Sequence, residues 1–145
     1  MKKQFVFFAI TFLLISSVNS YSQIGVTSYS IYALGVNTIQ NKMISGELKT
    51  FANRTIDDLL MEIDLFYNFK PKTYHRFSVG LGLNAGPFRE FDHINAFTIP
   101  AQIEIYPLQD FKKLSLLFEL ATEIVVESDI NIRSLWGIRY TFGEK

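Results

Sequence analysis

The sequence predicts an all-β fold: an antiparallel up-and-down meander closed into a small transmembrane β-barrel of about eight strands, seven of them readable, after a cleaved N-terminal signal peptide. Three observations predict it. At the C-terminus Trp136, Ile138, Tyr140 and Phe142 take every second position, with Leu135, Gly137, Arg139 and Thr141 between them. A strand sends alternate side chains to opposite faces, so one face there is large and apolar and the other is small or polar. Similar alternation recurs along the chain between clusters of turn formers and charge. At the N-terminus, Lys2 and Lys3 precede an apolar run from Phe5 to Leu14, followed by Asn19-Ser20-Tyr21-Ser22-Gln23. A basic start, an apolar stretch of roughly 7–15 residues and small residues before a cut describe an export signal.

The cut is expected after Ser22, leaving 1–22 as signal peptide and 23–145 as one barrel domain. A membrane anchor is the competing reading, but the run is short of the ~20 apolar residues a spanning helix needs. In the first strand, roughly 24–37, Tyr32, Leu34 and Val36 oppose Ala33, Gly35 and Asn37. The second, 43–52, sets Ile44, Gly46 and Leu48 against Ser45, Glu47 and Lys49. In the third, 58–69, Met61, Ile63, Leu65 and Tyr67 oppose Glu62, Asp64, Phe66 and Asn68. The fourth, 76–86, sets Phe77, Val79, Leu81 and Leu83 against Arg76, Ser78, Gly80, Gly82 and Asn84. The fifth, 96–106, sets Phe97, Ile99, Ala101 and Ile103 against Thr98, Pro100, Gln102 and Glu104. In the sixth, 114–127, Leu116, Phe118 and Leu120 oppose Ser115, Glu119 and Glu123. The seventh is the C-terminal strand, and Ser128 to Arg133 is expected as the connection before it. Strands of about 9–11 residues suit a tilted bilayer crossing and exceed the ~5–6 usual in soluble sheets. Pro100 removes a ladder donor, so a bulge or an edge is expected there.

Charge and cysteine usage exclude several classes. Removing 1–22 takes two lysines from fourteen basic residues and no acid from fourteen acidic ones, a formal charge of −2. No basic surplus exists for nucleic acid. Without cysteine there is no disulfide framework, thiolate chemistry or lipidated N-terminal Cys. The mature chain has no long apolar run, so no helical span follows the signal.

The polar faces carry Glu47, Lys49, Glu62, Asp64, Arg76, Glu104, Glu119, Glu123 and Arg139. An eight-stranded barrel has an interior just wide enough for side chains, so these charges would be enclosed and must pair. Three bases then face six acids. Strands six and seven are sequential, so Arg139 is expected to pair with Glu119, Glu123 or Glu104. Gly80, Gly82 and Gly86 would leave room for a long neighbour such as Arg139.

The export signal, the alternating meander, the strand Phe77-Ser-Val-Gly-Leu-Gly-Leu-Asn84 and the ending Trp136-Gly-Ile-Arg-Tyr-Thr-Phe142 resemble the small outer-membrane β-barrel proteins of Gram-negative bacteria. The resemblance covers the whole mature chain and is one of pattern. It implies an outer-membrane location, outer-membrane lipid as surroundings, and a terminal-strand signal formed by Trp136, Tyr140 and Phe142 for the barrel assembly machinery. Gly143-Glu144-Lys145 follow Phe142, so the aromatic is not terminal. Such barrels have even strand numbers, eight at minimum. Either the stretch from Gln23 to Ser30 is a separate strand, or the segmentation differs, or the barrel closes imperfectly or by association.

Chemistry-bearing motifs are weak. Gly80-Leu-Gly82 opens no helix and is a packing feature, not a phosphate loop. Glu119 and Glu123 lie roughly 13 Å apart along one strand face, outside the ~5–10 Å of a glycosidase pair. His75 and His93 have no third ligand at metal spacing. Asp92-His93 has no nucleophile motif to serve. Asn53-Arg54-Thr55 fits a glycosylation pattern by chance. The expected function is a non-catalytic outer-membrane barrel with a structural or interaction role, without cofactor, metal or nucleic-acid partner. Two alternatives stand: a secreted soluble barrel or sandwich binding a small apolar ligand, and a lipid-modifying outer-membrane enzyme.

Overall fold

A computed structural model describes residues 23–38, 42–52, 59–88, 93–126 and 129–143. The expected signal segment 1–22 lies outside them. Eight strands follow in order: β1 (Ile24–Tyr29), β2 (Ala33–Thr38), β3 (Ile44–Phe51), β4 (Leu60–Asn68), β5 (His75–Ala85), β6 (Ile94–Ile105), β7 (Leu114–Val125) and β8 (Ile130–Phe142). Each pairs antiparallel with its sequence neighbours, and β1 pairs with β8, so the sheet closes into a barrel. Closure removes the free edges that an open sheet of this length would expose.

The eighth strand comes from splitting the segment read as 24–37. A three-residue turn, Ser30 to Tyr32, separates β1 from β2, with Tyr29 opposite Ala33. Tyr32 takes a φ of 40°, the left-handed region where glycine or asparagine is usual. No glycine, proline or asparagine marks this turn, which is why the alternation reads straight through it. The stretch Gln23 to Ser30 is therefore a strand of its own apart from its ends. The connection expected over Ser128 to Arg133 is also shorter than read, since β8 begins at Ile130.

Strand length grows around the barrel, from 6 residues in β1 and β2 to 13 in β8. The β1–β8 ladder runs from Ile24↔Phe142 to Tyr29↔Gly137 and ends with Ser30 N–H donating to the Trp136 carbonyl. The upper part of β8, Ile130 to Leu135, pairs with β7 alone. The wall is thus notched above β1 and β2.

Pro100 lies inside β6, fully buried, in a barrel with no edge. The β5–β6 ladder passes from Val79↔Ala101 to Gly82↔Thr98, with Pro100 in the gap. The missing N–H costs local pairing rather than creating an edge. The register irregularity lies elsewhere, between Asn84 and Ala85.

Candidate functional site

The two faces of the wall have opposite chemistry. Outward positions hold exposed apolar side chains, among them Ile63, Leu65, Leu81, Phe97, Leu120, Trp136 and Ile138. Among the described residues, no Asp, Glu, Lys or Arg points outward from any of the eight strands. The lumen is where polar groups are buried: Thr27, Glu47, Lys49, Glu62, Asp64, Arg76, Gln102, Glu104, Ser115, Glu119 and Arg139 are each under one-tenth exposed.

These side chains form one hydrogen-bonded chain along the barrel axis. At the end carrying both termini, the Arg76 guanidinium donates to Glu104, which also accepts the Ser115 hydroxyl at 2.5 Å. Arg139 lies 3.4 Å from Glu104, donates to Glu47 at 3.1 Å and to the Thr27 hydroxyl at 2.7 Å. Glu47 accepts the Tyr29 hydroxyl at 2.6 Å and the Gln102 amide at 2.9 Å. Gln102 reaches on to Glu119 at 2.6 Å. The Lys49 ammonium then meets three carboxylates, Glu119 at 2.6 Å, Asp64 at 2.8 Å and Glu62 at 3.1 Å. At the far end Arg133 grips Glu62 with both terminal nitrogens, at 2.7 and 2.8 Å, and also bonds Glu119 and Glu123. It stacks over the Phe51 ring at 4.8 Å. One side of the lumen is apolar: Tyr29, Ala33, Phe51, Leu117 and Leu135 pack together with Leu60 against them.

The nine lumen residues expected from sequence all lie on this face, but their partnering differs. Of its three expected partners Arg139 meets Glu104 and does not reach Glu119 or Glu123. It stands opposite Ser115 on β7 and Thr27 on β1. Glu119 is four residues farther along β7, which at strand rise is roughly 13 Å. The stagger of strands around a closed barrel brings Glu47 to Arg139 instead. Arg133, read as a loop residue, takes the two distant glutamates. Its signal was present: Arg133 shares parity with Leu135, Gly137 and Arg139. The polar Ser128-Asp129-Ile130-Asn131 stretch hid it.

The glycines make room, though not for Arg139. A Cβ at Gly82 would overlap the Asp64 carboxylate and the Thr98 hydroxyl. One at Gly80 would meet the Leu65 carbonyl at 2.7 Å and the Phe66 ring at 2.8 Å. One at Gly35 would meet the Glu47 carboxylate at 2.6 Å.

A shallow groove of about 540 Å³ lies on the outer wall across β5 to β8, lined by Phe77, Ala101, Ile103, Phe118, Leu120 and Trp136. Aromatic rings cluster near the end of the wall carrying the termini. Tyr67 meets Phe69 edge-on at 5.2 Å, Phe69 meets Phe77 at 5.5 Å, Phe111 meets Tyr140 at 6.4 Å and Tyr140 meets Phe142 at 4.8 Å. Of the residues expected as a terminal-strand signal, Trp136, Tyr140 and Phe142 all face outward on β8, and Phe142 lies opposite Ile24 at the seam. Among the described residues, no three His, Asp or Glu side chains cluster so as to hold a metal ion.

No protein-family model matches the chain. No curated protein matches it either. Among solved structures, the N-terminal β-barrel domain of Pseudomonas aeruginosa OprF matches with a TM-score of 0.50 and 15% identity, over 83% of this chain and 95% of that one. The fold is an eight-stranded β-barrel like that domain.

Proposed function

We propose that the protein is an outer-membrane β-barrel with a structural or interaction role and no catalysis, exported by the segment 1–22 and inserted by the barrel assembly machinery. The distribution of charge across the wall carries this reading. Each charged residue of the strands faces the lumen, and the outer wall is apolar around its circumference. A soluble barrel has the reverse arrangement, since its outer face must be wetted and its interior forms the core. An outer-membrane barrel shows a polar interior, an apolar outer band and aromatic girdles. The aromatic clusters of β4–β5 and β7–β8 fit a girdle at one interface.

The filled lumen weighs against transport and against an apolar ligand held inside. Lys49 of β3, Arg76 of β5 and Arg133 and Arg139 of β8 cross-link acids of β3, β4, β6 and β7 through the lumen. The Ser115 hydroxyl does donate to the Glu104 carboxylate, but both are buried in the packed lumen with Glu104 already held by Arg76 and Arg139, so the pair gives a hydrolase little support. The test is fractionation of a Gram-negative host expressing the full chain, with gel mobility before and after heating. Recovery in the outer-membrane fraction as a heat-shifting band, beginning near Gln23, is the expected result. Recovery in the periplasm or medium as a soluble protein would overturn the reading.

A further inference from the structure

We propose that the rim carrying both termini is a docking surface for anionic phospholipid headgroups, with Lys112 and Lys113 holding a phosphate beneath the β7–β8 wall. This inference rests on the membrane-barrel reading above. Five lysines, Lys42, Lys70, Lys72, Lys112 and Lys113, stand in the connections of that rim, and Asp110 is the acid set among its described residues. The connections at the opposite end contain no lysine; their sequence holds Arg54 and Arg89 against Asp57, Asp58, Glu90, Asp92, Glu127 and Asp129. The lysines of the connections are therefore sorted to one end of the barrel, while the outer wall between the ends is uncharged.

Position selects lipid as the partner. The lysines follow the aromatic residues of the girdle in sequence. Phe69, packed on Tyr67 and Phe77, precedes Lys70; Phe111, packed on Tyr140, precedes Lys112 and Lys113. Thr141 N–H donates to the Lys113 carbonyl, which fixes this connection against β8. Aromatic rings mark the depth where hydrocarbon gives way to headgroups, and a lysine stem can lie along that apolar surface while its ammonium reaches a phosphate. Lys112 and Lys113 are half-buried at that position. Attraction of a lysine to an anionic membrane surface corresponds to roughly a fivefold change in partition per residue at full effect.

The chain supplies its own probe. Trp136 is the sole tryptophan, faces outward on β8 and lies five residues, roughly 16 Å at strand rise, from Thr141, whose N–H bonds the Lys113 carbonyl. Brominated acyl chains in contact with the β7–β8 wall would quench its fluorescence. The mature chain is folded into phosphatidylcholine vesicles containing a minority of phosphatidylglycerol, with brominated acyl chains placed on one lipid or the other. Brominated phosphatidylglycerol should quench Trp136 about twofold or more beyond its mole fraction. The excess should vanish at about 1 M sodium chloride, where the screening length falls to about 3 Å. It should also vanish in the double variant Lys112→Gln, Lys113→Gln, and persist in Lys70→Gln, Lys72→Gln, which lies on the β4–β5 side. Inorganic phosphate should do no more than chloride at equal ionic strength; stronger competition would make the site one for free phosphate and overturn the lipid assignment. Quenching at the mole fraction in the unmutated chain would overturn the proposal while the barrel reading stands. Absence of quenching by either brominated lipid would overturn the barrel reading and this proposal together.

Discussion

Arg133 and Arg139 divide the lumen between them, and each should be needed. Arg133 holds Glu62, Glu119 and Glu123, and Arg139 holds Glu47 and Glu104. Removing one partner of a buried ion pair leaves a desolvated charge, at a cost of about 3–5 kcal/mol. Arg133→Leu is therefore expected to destabilise the folded barrel as much as Arg139→Leu, measured by urea unfolding in vesicles; an unchanged midpoint for Arg133→Leu would return that residue to a loop. Coupling should follow the structure. A double-mutant cycle should give about 0.5–3 kcal/mol between Arg139 and Glu47 and none between Arg139 and Glu123. The lumen face itself was legible in the sequence, because period-two alternation assigns a face without any knowledge of neighbours. Which carboxylate meets which cation was not, because it depends on the stagger of non-adjacent strands. Glycine carries a similar lesson. Gly82 has the Asp64 carboxylate and the Thr98 hydroxyl where its Cβ would be. Gly82→Ala must push Asp64 off Lys49, and overpacking of this kind costs about 1–3 kcal/mol; wild-type stability for that variant would contradict the packing described.

Strands β4 to β7 were visible to within about two residues at each end, because each carries at least four alternations of apolar and polar residues bounded by proline, lysine or aspartate. The β1–β2 hairpin was not. Its turn is Ser30-Ile31-Tyr32, with an apolar residue where a turn former is usual, and Tyr32 adopts a positive φ against its preference. The conformation is imposed by the strands on either side, through the pairs Tyr29↔Ala33 and Ser28↔Leu34. Relieving it should help. Tyr32→Asn removes a cost of about 1–2 kcal/mol for a left-handed residue while keeping a side chain that tolerates the region. The variant is expected to unfold at higher urea by up to that amount and to fold faster if the hairpin forms early. A loss of stability would mean that the exposed Tyr32 ring, 85% accessible, anchors the turn more than its backbone strains it.

The charges of the strands line the lumen, the lysines of the connections gather at one rim, and the wall between is apolar, which is the arrangement the membrane reading proposed above requires. The same arrangement gives the sharpest whole-molecule test, because the solvent on the outside decides what an outward charge costs. Leu81 is 68% exposed at the middle of β5, and Ala85 ends the same strand on the same face. In water an exposed Leu81→Arg would change stability by about ±0.5 kcal/mol, since nothing is buried or unpaired by it. In a bilayer an arginine at mid-depth costs about 2–4 kcal/mol, and one near the interface about 0–1. Leu81→Arg should thus fold poorly in vesicles and lose about 2–4 kcal/mol in urea unfolding, while Ala85→Arg should stay within about 1 kcal/mol of the parent. Running both variants in short-chain and long-chain phosphatidylcholine separates depth from local packing. A thicker bilayer should worsen Leu81→Arg and begin to affect Ala85→Arg as the headgroups move outward. Equal effects of the two substitutions, independent of bilayer thickness, would mean that the apolar face meets something other than lipid.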